Sequence, residues 1–346
     1  MQIDELLNLC IWFKNNIEKR EISQKYLNLF NKMNINVRRM NGQQAQPFLD
    51  EKNILFDSLS KINLDDLTIE QIKFLEQLEV ENLISKNTVD LIENDLIENN
   101  LDIATATNII KDYSDKITNA QSVLQTIYNT LNPYFELHEA EELDENEVLM
   151  RIYFQSGVSI NNLIDLKKLS YNWFEISRGI AMALNEAPES FKVIGAKKGS
   201  IILDLAVIVG VATTVSKILL EALKVADRVL DIRKKAIEIK SLKLQNKKIE
   251  QELNNEAQTE KENGIKIIVE ETVKQLGLNV DNEGDKISSL EKSVKKLLEF
   301  TENGGQVDFV FNDNVSKNPE LREENKLLKQ NVEKIRELES KIKYLE

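Results

Sequence analysis

Helix breakers are scarce along this chain, and their scarcity most limits the folds that it can adopt. The 346 residues include only 4 prolines and 11 glycines, while 30% of the residues are charged. Proline and glycine destabilise helix interiors, whereas Leu, Lys and Glu support them. The composition therefore predicts a mainly α-helical protein with long helices, and its length is sufficient for two or three compact units.

The first 138 residues predict a helical region built from small antiparallel hairpins. Apolar residues recur at helical spacing near the start, at Leu6, Leu9, Phe13 and Ile17. Thr68 is followed three positions later by Gln71, which is the pattern of a helix capping box. Asparagines then separate short apolar stretches, as at Asn87 and Asn99. Short helices joined by such turns favour hairpin packing.

An acidic run divides the chain after this region. Residues 139–147 contain six carboxylates, whose mutual repulsion predicts an exposed linker. Residues 148–264 are expected to form a small α+β unit, strand–helix–strand, that continues into a long amphipathic helix. Residues 265–346 predict short helices, one strand over 306–311 and a C-terminal coiled-coil helix.

Strand-forming segments flank one helix in the predicted α+β unit. Strands are predicted over 148–154 and 191–194, and a helix is predicted over 160–184. The aromatic residues of that helix are expected mainly in the core: Tyr171, Trp173 and Phe174. Segment 201–209 is apolar on both faces, so its pattern fits either a strand or the start of the next helix. Asn263-Gly264 predicts a break in the long helix.

Two helical segments carry patterns typical of self-association. In the long helix, apolar residues recur at three- and four-residue steps, at Val225, Val229, Ile232, Ala236 and Ile239. In the C-terminal helix, they recur at seven-residue intervals, at Leu321, Leu328, Ile335 and Ile342. The C-terminal helix is expected to dock either on the chain's other long helix or on a second copy. Asn331, on its inner side, is expected to fix the alignment.

Basic residues are concentrated in one part of an otherwise acidic chain. The net charge of −13 disfavours nucleic-acid binding over the whole surface. Residues 224–248 nevertheless contain nine Lys or Arg against three Asp or Glu. An anion site would use Lys197, Lys198, Ser200, Arg233, Lys234 and Lys235. A simple turn capped by Ser200, with solvated lysines along a helix, explains the same pattern without a ligand.

The segment over 201–223 is the one stretch whose composition raises the question of a membrane. Ile201 to Ser216 supplies 16 positions and includes Asp204, whereas a spanning helix needs about 20 apolar residues. Burial inside the protein is therefore favoured over a membrane span. A membrane-acting effector that inserts this segment after a trigger stays as an alternative.

Residue types that carry catalysis are sparse. His138 is the single histidine and borders the acidic run, so it is expected to be a solvated residue at the end of a helix. Cys10 is the single cysteine and lies among apolar residues, which predicts a small buried hydrophobe and excludes an intrachain disulfide. The pattern predicts no catalytic site, metal or cofactor, and a cytoplasmic location, with membrane association as the minority interpretation.

These observations together favour a non-enzymatic, oligomeric interaction protein. It is expected to self-associate through 218–253 and 319–346 and to present its helical N-terminal region to an unidentified protein partner. The alternatives are the membrane effector and an anion- or nucleic-acid-binding protein that uses the basic helix over 224–248.

Overall fold

The computed structural model describes residues 1, 3–39, 44–64, 66–85, 87–98, 102–135, 143–144, 146–197, 201–241, 247–311 and 318–343. The chain divides into two compact units, which we call the N-terminal unit (Met1–Ala140) and the C-terminal unit (Glu141–Glu346). The protein is mainly helical with one small antiparallel sheet, as the sequence predicts.

Helices make up the N-terminal unit. They are α1 (Ile3–Phe13), α2 (Ile22–Val37), α3 (Leu49–Leu59), α4 (Ile69–Gln77), α5 (Asn87–Glu98) and α6 (Ile103–Leu131), with a π-helical turn over Lys14–Glu18. The predicted capping box begins α4: the Gln71 amide donates to Thr68 Oγ1 at 3.2 Å, and the Thr68 amide donates to Gln71 Oε1 at 2.9 Å. Two helical N–H groups at this end are thereby satisfied.

One long helix, α6, organises this unit, where several short helices in succession were expected. It spans 29 residues and packs against α1 and α2. Asp102 caps it by accepting from the amides of Ala104 and Thr105. The rings of Tyr26 and Tyr113 meet edge to face at 6.4 Å where α2 and α6 cross. No proline or glycine interrupts residues 103–131, so nothing in the backbone ends the helix earlier.

Cys10 lies buried on α1, which confirms its predicted position in the core. Burial raises the pKa of its thiol to about 11. Because the thiolate is the reactive form, about one thiol in a thousand would be ionised at pH 8. We expect a thiol-specific disulfide reagent to label the native chain at least about 100-fold more slowly than the urea-unfolded chain.

An exposed thiol provides the control for this labelling experiment. Ser60 is exposed at the end of α3. A variant that combines Cys10→Ala with Ser60→Cys should react in the native state as fast as an unfolded chain. Rapid labelling of Cys10 in the folded wild-type protein would contradict the burial.

The C-terminal unit contains both strands and helices. They are β1 (Glu147–Phe154), α7 (Leu163–Ala183), β2 (Lys192–Lys197), β3 (Ile201–Ile208), α8 (Val209–Ser241), α9 (Lys247–Leu276), α10 (Gly284–Glu302), β4 (Gln306–Val310) and α11 (Pro319–Lys343). The antiparallel sheet has the order β2-β3-β1-β4. The three predicted strands are therefore confirmed, and segment 201–208 is a strand.

Side chains of β1 point alternately to the two faces of the sheet, and those on one face are part of the core of this unit. These core side chains are Val148, Met150, Ile152 and Phe154. Phe154 meets Phe300 of α10 at 5.7 Å between ring centroids, and Phe300 meets Trp173 of α7 at 5.2 Å. One apolar face of the sheet therefore packs against α7 and α10.

Segments 148–264 and 265–346, predicted as separate parts, form one compact unit. Strand β4 pairs with β1, which supplies the partner that the sequence left unidentified. Helix α9 runs without a break from Lys247 to Leu276, so the predicted break at Asn263-Gly264 was wrong. Gly264 lies where α9 approaches α8: a Cβ atom there would be 2.6 Å from Val225 Cγ2. The glycine permits close packing of the two helices.

The predicted acidic linker over 139–147 extends at least one residue too far. Glu147 is the first residue of β1, is buried, and pairs with Lys192 Nζ at 2.6 Å. Residues 139–142 and 145 lie outside the described residues.

Candidate functional site

The apolar seam predicted on the long helix lies inside the C-terminal unit. Val225, Val229 and Ala236 are buried and Ile232 is partly buried, whereas the side chain of Ile239 lies outside the described residues. Helix α9 covers this part of α8 in the antiparallel direction, since Gly264 meets Val225 and Glu260 pairs with Arg228. These side chains are therefore already packed within one chain.

The C-terminal helix α11 docks on α8 of the same chain, which is one of the two partners expected for it. Leu328 and Ile335 are buried, and Leu321 and Ile342 are partly buried against the same core. Asn331 Nδ2 donates to Ser216 Oγ of α8 at 3.0 Å. The inner asparagine thus bonds across this helix pair, in the position expected of an alignment-setting residue.

Three of the six predicted anion-binding residues have described side chains. Arg233, Lys234 and Lys235 are exposed on α8. Lys197 ends β2, but its side chain lies outside the described residues, as do Lys198 and Ser200 entirely. Whether the six residues meet in one anion site stays a prediction.

Segment 201–223 comprises the whole of β3 and the first part of α8. Among the described helices, none combines the length and the apolar character that a membrane crossing needs. Asp204, the charge that interrupts the segment, is buried in β3 and accepts from Arg151 Nε at 2.6 Å and from Nη2 at 3.0 Å.

This ion pair belongs to a row of alternating charges across the sheet. Arg151 of β1 lies in register between Asp204 of β3 and Asp308 of β4. Asp308 in turn accepts from Arg336 Nη2 of α11 at 2.9 Å. In the sequence, the row has one signal, which is a charged residue in the interior of each of these three strands.

Helix α7 exposes a line of large apolar side chains. Leu163 is 81% exposed, Ile164 79%, Tyr171 58% and Phe174 51%. At 100° per residue these four positions span about 100° of the helix circumference. We call them the α7 stripe. Of the aromatic residues expected in the core, Trp173 is buried as predicted, whereas Tyr171 and Phe174 are on the surface.

Charged residues flank the α7 stripe. The rings of Tyr171 and Phe174 lie 6.4 Å apart, and Lys296 Nζ of α10 lies 5.5 Å from the centre of the Tyr171 ring. Lys168 is exposed, whereas Glu175 is half-buried and lies 3.9 Å from Arg178. Lys167 is exposed within the same arc, between Ile164 and Tyr171, so the stripe consists of two apolar pairs with charged neighbours. Protein interfaces likewise combine exposed aromatic side chains with polar groups.

Comparisons with other proteins add no further indication of function. The chain matches no protein-family model, no curated protein and no solved structure.

Proposed function

We propose that this protein is a non-enzymatic interaction protein that self-associates through the α7 stripe and presents its N-terminal helical unit to another protein. The observation that carries the proposal is the exposure of Leu163, Ile164, Tyr171 and Phe174 along one line of α7. Tyr and Phe are enriched in protein interfaces because they bury a large area with few rotatable bonds. The seams on α8 and α11 are packed within one chain, so the proposal assigns self-association to another surface.

The charges beside the stripe favour a second copy as its occupant. Lys168 and Glu175 lie symmetrically about the midpoint between residues 171 and 172, and so do Asp165 and Arg178. Two α7 helices packed antiparallel across this midpoint would place Lys168 of each opposite Glu175 of the other, whereas Asp165 and Arg178 point to different sides of the helix. A two-fold interface requires such self-complementarity, because one surface contacts itself.

The size of the stripe indicates a reversible dimer. Complete burial of a large apolar side chain contributes about 1.5–3 kcal/mol, part of which offsets the entropy lost on association. With four such side chains per protomer and the 168–175 charge pairs, we expect a dissociation constant of roughly micromolar order. Concentration would therefore control how much of the protein is dimeric.

Charge reversal tests this arrangement. Sedimentation velocity over a concentration series should show dimerisation of the wild type and its loss in Lys168→Glu and in Glu175→Lys. Each single reversal places like charges opposite each other. When the two variants are mixed, every 168–175 pair across the interface is again oppositely charged, so dimers should reappear as heterodimers.

An aromatic variant and a matched control complete the experiment. Tyr171→Ser with Phe174→Ser should weaken dimerisation at least about tenfold, whereas Val280→Ser, at an exposed apolar residue outside α7, should leave it unchanged. A strictly monomeric wild type, or dimers that persist unchanged in the aromatic variant, would overturn the proposal and assign the stripe to a different occupant.

A further inference from the structure

A cleft in the C-terminal unit opens beside the turn that joins α10 to β4. Leu223, Leu230 and Ile342 form its apolar wall, and Glu302, Gln306 and Glu339 contribute its polar groups. Together with its open mouth, the cleft has a volume of about 450 Å³. That space accommodates several waters or a ligand of a few heavy atoms.

Among the described residues, two buried oxygen atoms of side chains that line this cleft have no hydrogen-bond donor. Gln306 is 5% exposed, and its Oε1 has no partner among the described residues. The Glu302 side chain is also 5% exposed; its Oε2 accepts from Lys261 Nζ at 2.8 Å, but its Oε1 has no partner in the described part of the chain. Buried polar atoms in native proteins are nearly always satisfied, so these acceptors indicate a missing donor.

Gly304 and Gly305 form a tight turn directly before Gln306. Gly304 has φ +83°, and a Cβ there would lie 2.7 Å from Ser156 Cβ. A Cβ on Gly305 would lie 2.4 Å from the Phe300 ring. Only glycine combines the left-handed conformation with such close approach, and Gln306 follows the pair directly. The main-chain position of Gln306 is therefore constrained by this turn.

We propose that this cleft binds a small primary ammonium ligand. An –NH₃⁺ group supplies three donors and no acceptor, which matches the free oxygens of Glu302 and Gln306, with the buried carboxylate of Glu339 in the same cleft. The apolar wall would contact the alkyl chain. A calcium ion would require six to eight oxygen ligands. The cleft offers only two carboxylates and one amide, and Lys261 already pairs with Oε2 of Glu302. This site is independent of the α7 stripe.

Calorimetric titration of the full chain with n-butylammonium chloride tests the proposal. We expect saturable binding of one ligand per chain, with a dissociation constant on the order of a millimolar or tighter. The neutral analogue 1-butanol should bind at least about tenfold more weakly, because it lacks the charge and two of the donors. Calcium chloride should show no saturable binding.

Substitutions at Gln306 distinguish a binding role from a purely structural one. Gln306→Leu should weaken n-butylammonium binding at least about tenfold, whereas Gln306→Glu should tighten it, because a carboxylate is the stronger acceptor. Gln258→Leu, at an exposed glutamine of α9, should bind as the wild type does. Thermal unfolding of each variant reports whether it is folded.

Several results would overturn the proposal. They are the absence of saturable n-butylammonium binding up to about 20 mM, equal binding of 1-butanol, binding of calcium in place of the amine, and a folded Gln306→Leu variant with unchanged affinity. The first of these results would leave water as the donor for both oxygens.

Discussion

Arg151→Met is expected to lower the free energy of unfolding of the C-terminal unit by about 3–5 kcal/mol. Arg151 is buried in β1 and makes two hydrogen bonds to Asp204, at 2.6 and 3.0 Å. It also lies in register opposite Asp308. Methionine fills a similar volume but carries no charge, so Asp204 would be left buried without the two bonds. The loss of solvation for that carboxylate would then be uncompensated.

Urea unfolding followed by tryptophan fluorescence measures this loss. The chain has two tryptophans, Trp12 in the N-terminal unit and Trp173 in the C-terminal unit. A Trp12→Phe background therefore reports on the unit that contains Arg151. In that background, a shift of the midpoint with an unchanged slope would indicate a change in stability alone.

A surface ion pair of similar geometry serves as the control. Arg228 pairs with Glu260 at 2.5 Å, but its side chain is 55% exposed. Arg228→Met should cost no more than about 1 kcal/mol, because exposed pairs gain little over their hydrated state. Replacing both buried partners, as Arg151→Met with Asp204→Leu, should recover much of the loss. Equal, small effects of Arg151→Met and Arg228→Met would refute the importance of burial.

Gly264→Ala is expected to destabilise the C-terminal unit by about 1–3 kcal/mol. Its new Cβ would lie 2.6 and 2.7 Å from the two γ-carbons of Val225, closer than nonbonded carbons pack. Helices α8 and α9 would have to separate, or Val225 would have to move. Alanine favours helix more than glycine does, so steric conflict alone accounts for the expected sign.

A double-mutant cycle tests whether Val225 is the obstacle. Val225→Ala removes both clashing carbons, so Gly264→Ala should cost little or nothing in that background. Gly284→Ala supplies the control, since nothing lies within 4 Å of a Cβ there, and it should be neutral or stabilising by up to about 1 kcal/mol. Additive effects at 225 and 264 would contradict the proposed contact.

The local elements of this fold follow from sequence better than the contacts between them. Val148 to Phe154 is rich in β-branched and aromatic residues and is a strand, and Thr68 with Gln71 forms the capping box that their spacing predicts. Gly264 was misinterpreted because glycine both interrupts helices and permits their close approach. Only the position of Val225 on a neighbouring helix distinguishes these roles.

The surfaces were harder to predict for a related reason. The spacing of Leu328 and Ile335 indicates that α11 has a helical partner, but the same spacing suits a partner within the chain or in another copy. Tyr171 and Phe174 have the composition of a core, and their exposure depends on which face of α7 meets the sheet. The sequence does not predict a role for Gln306, because the lack of a hydrogen-bond donor for its side-chain oxygen depends on which groups the fold brings near it.

The order of the strands has a consequence for the synthesis of this protein. Strand β4 pairs with β1 through Ile152 and Val307, so the sheet joins segments made at widely separated times on the ribosome. Until β4 emerges, the edge of β1 that faces away from β3 has no strand to pair with in its own chain. Its free backbone groups can then pair with other chains. The N-terminal unit faces no such delay, since Ala140 completes it early. Translation therefore favours folding of the helical unit first, with the sheet completed only after β4 has emerged.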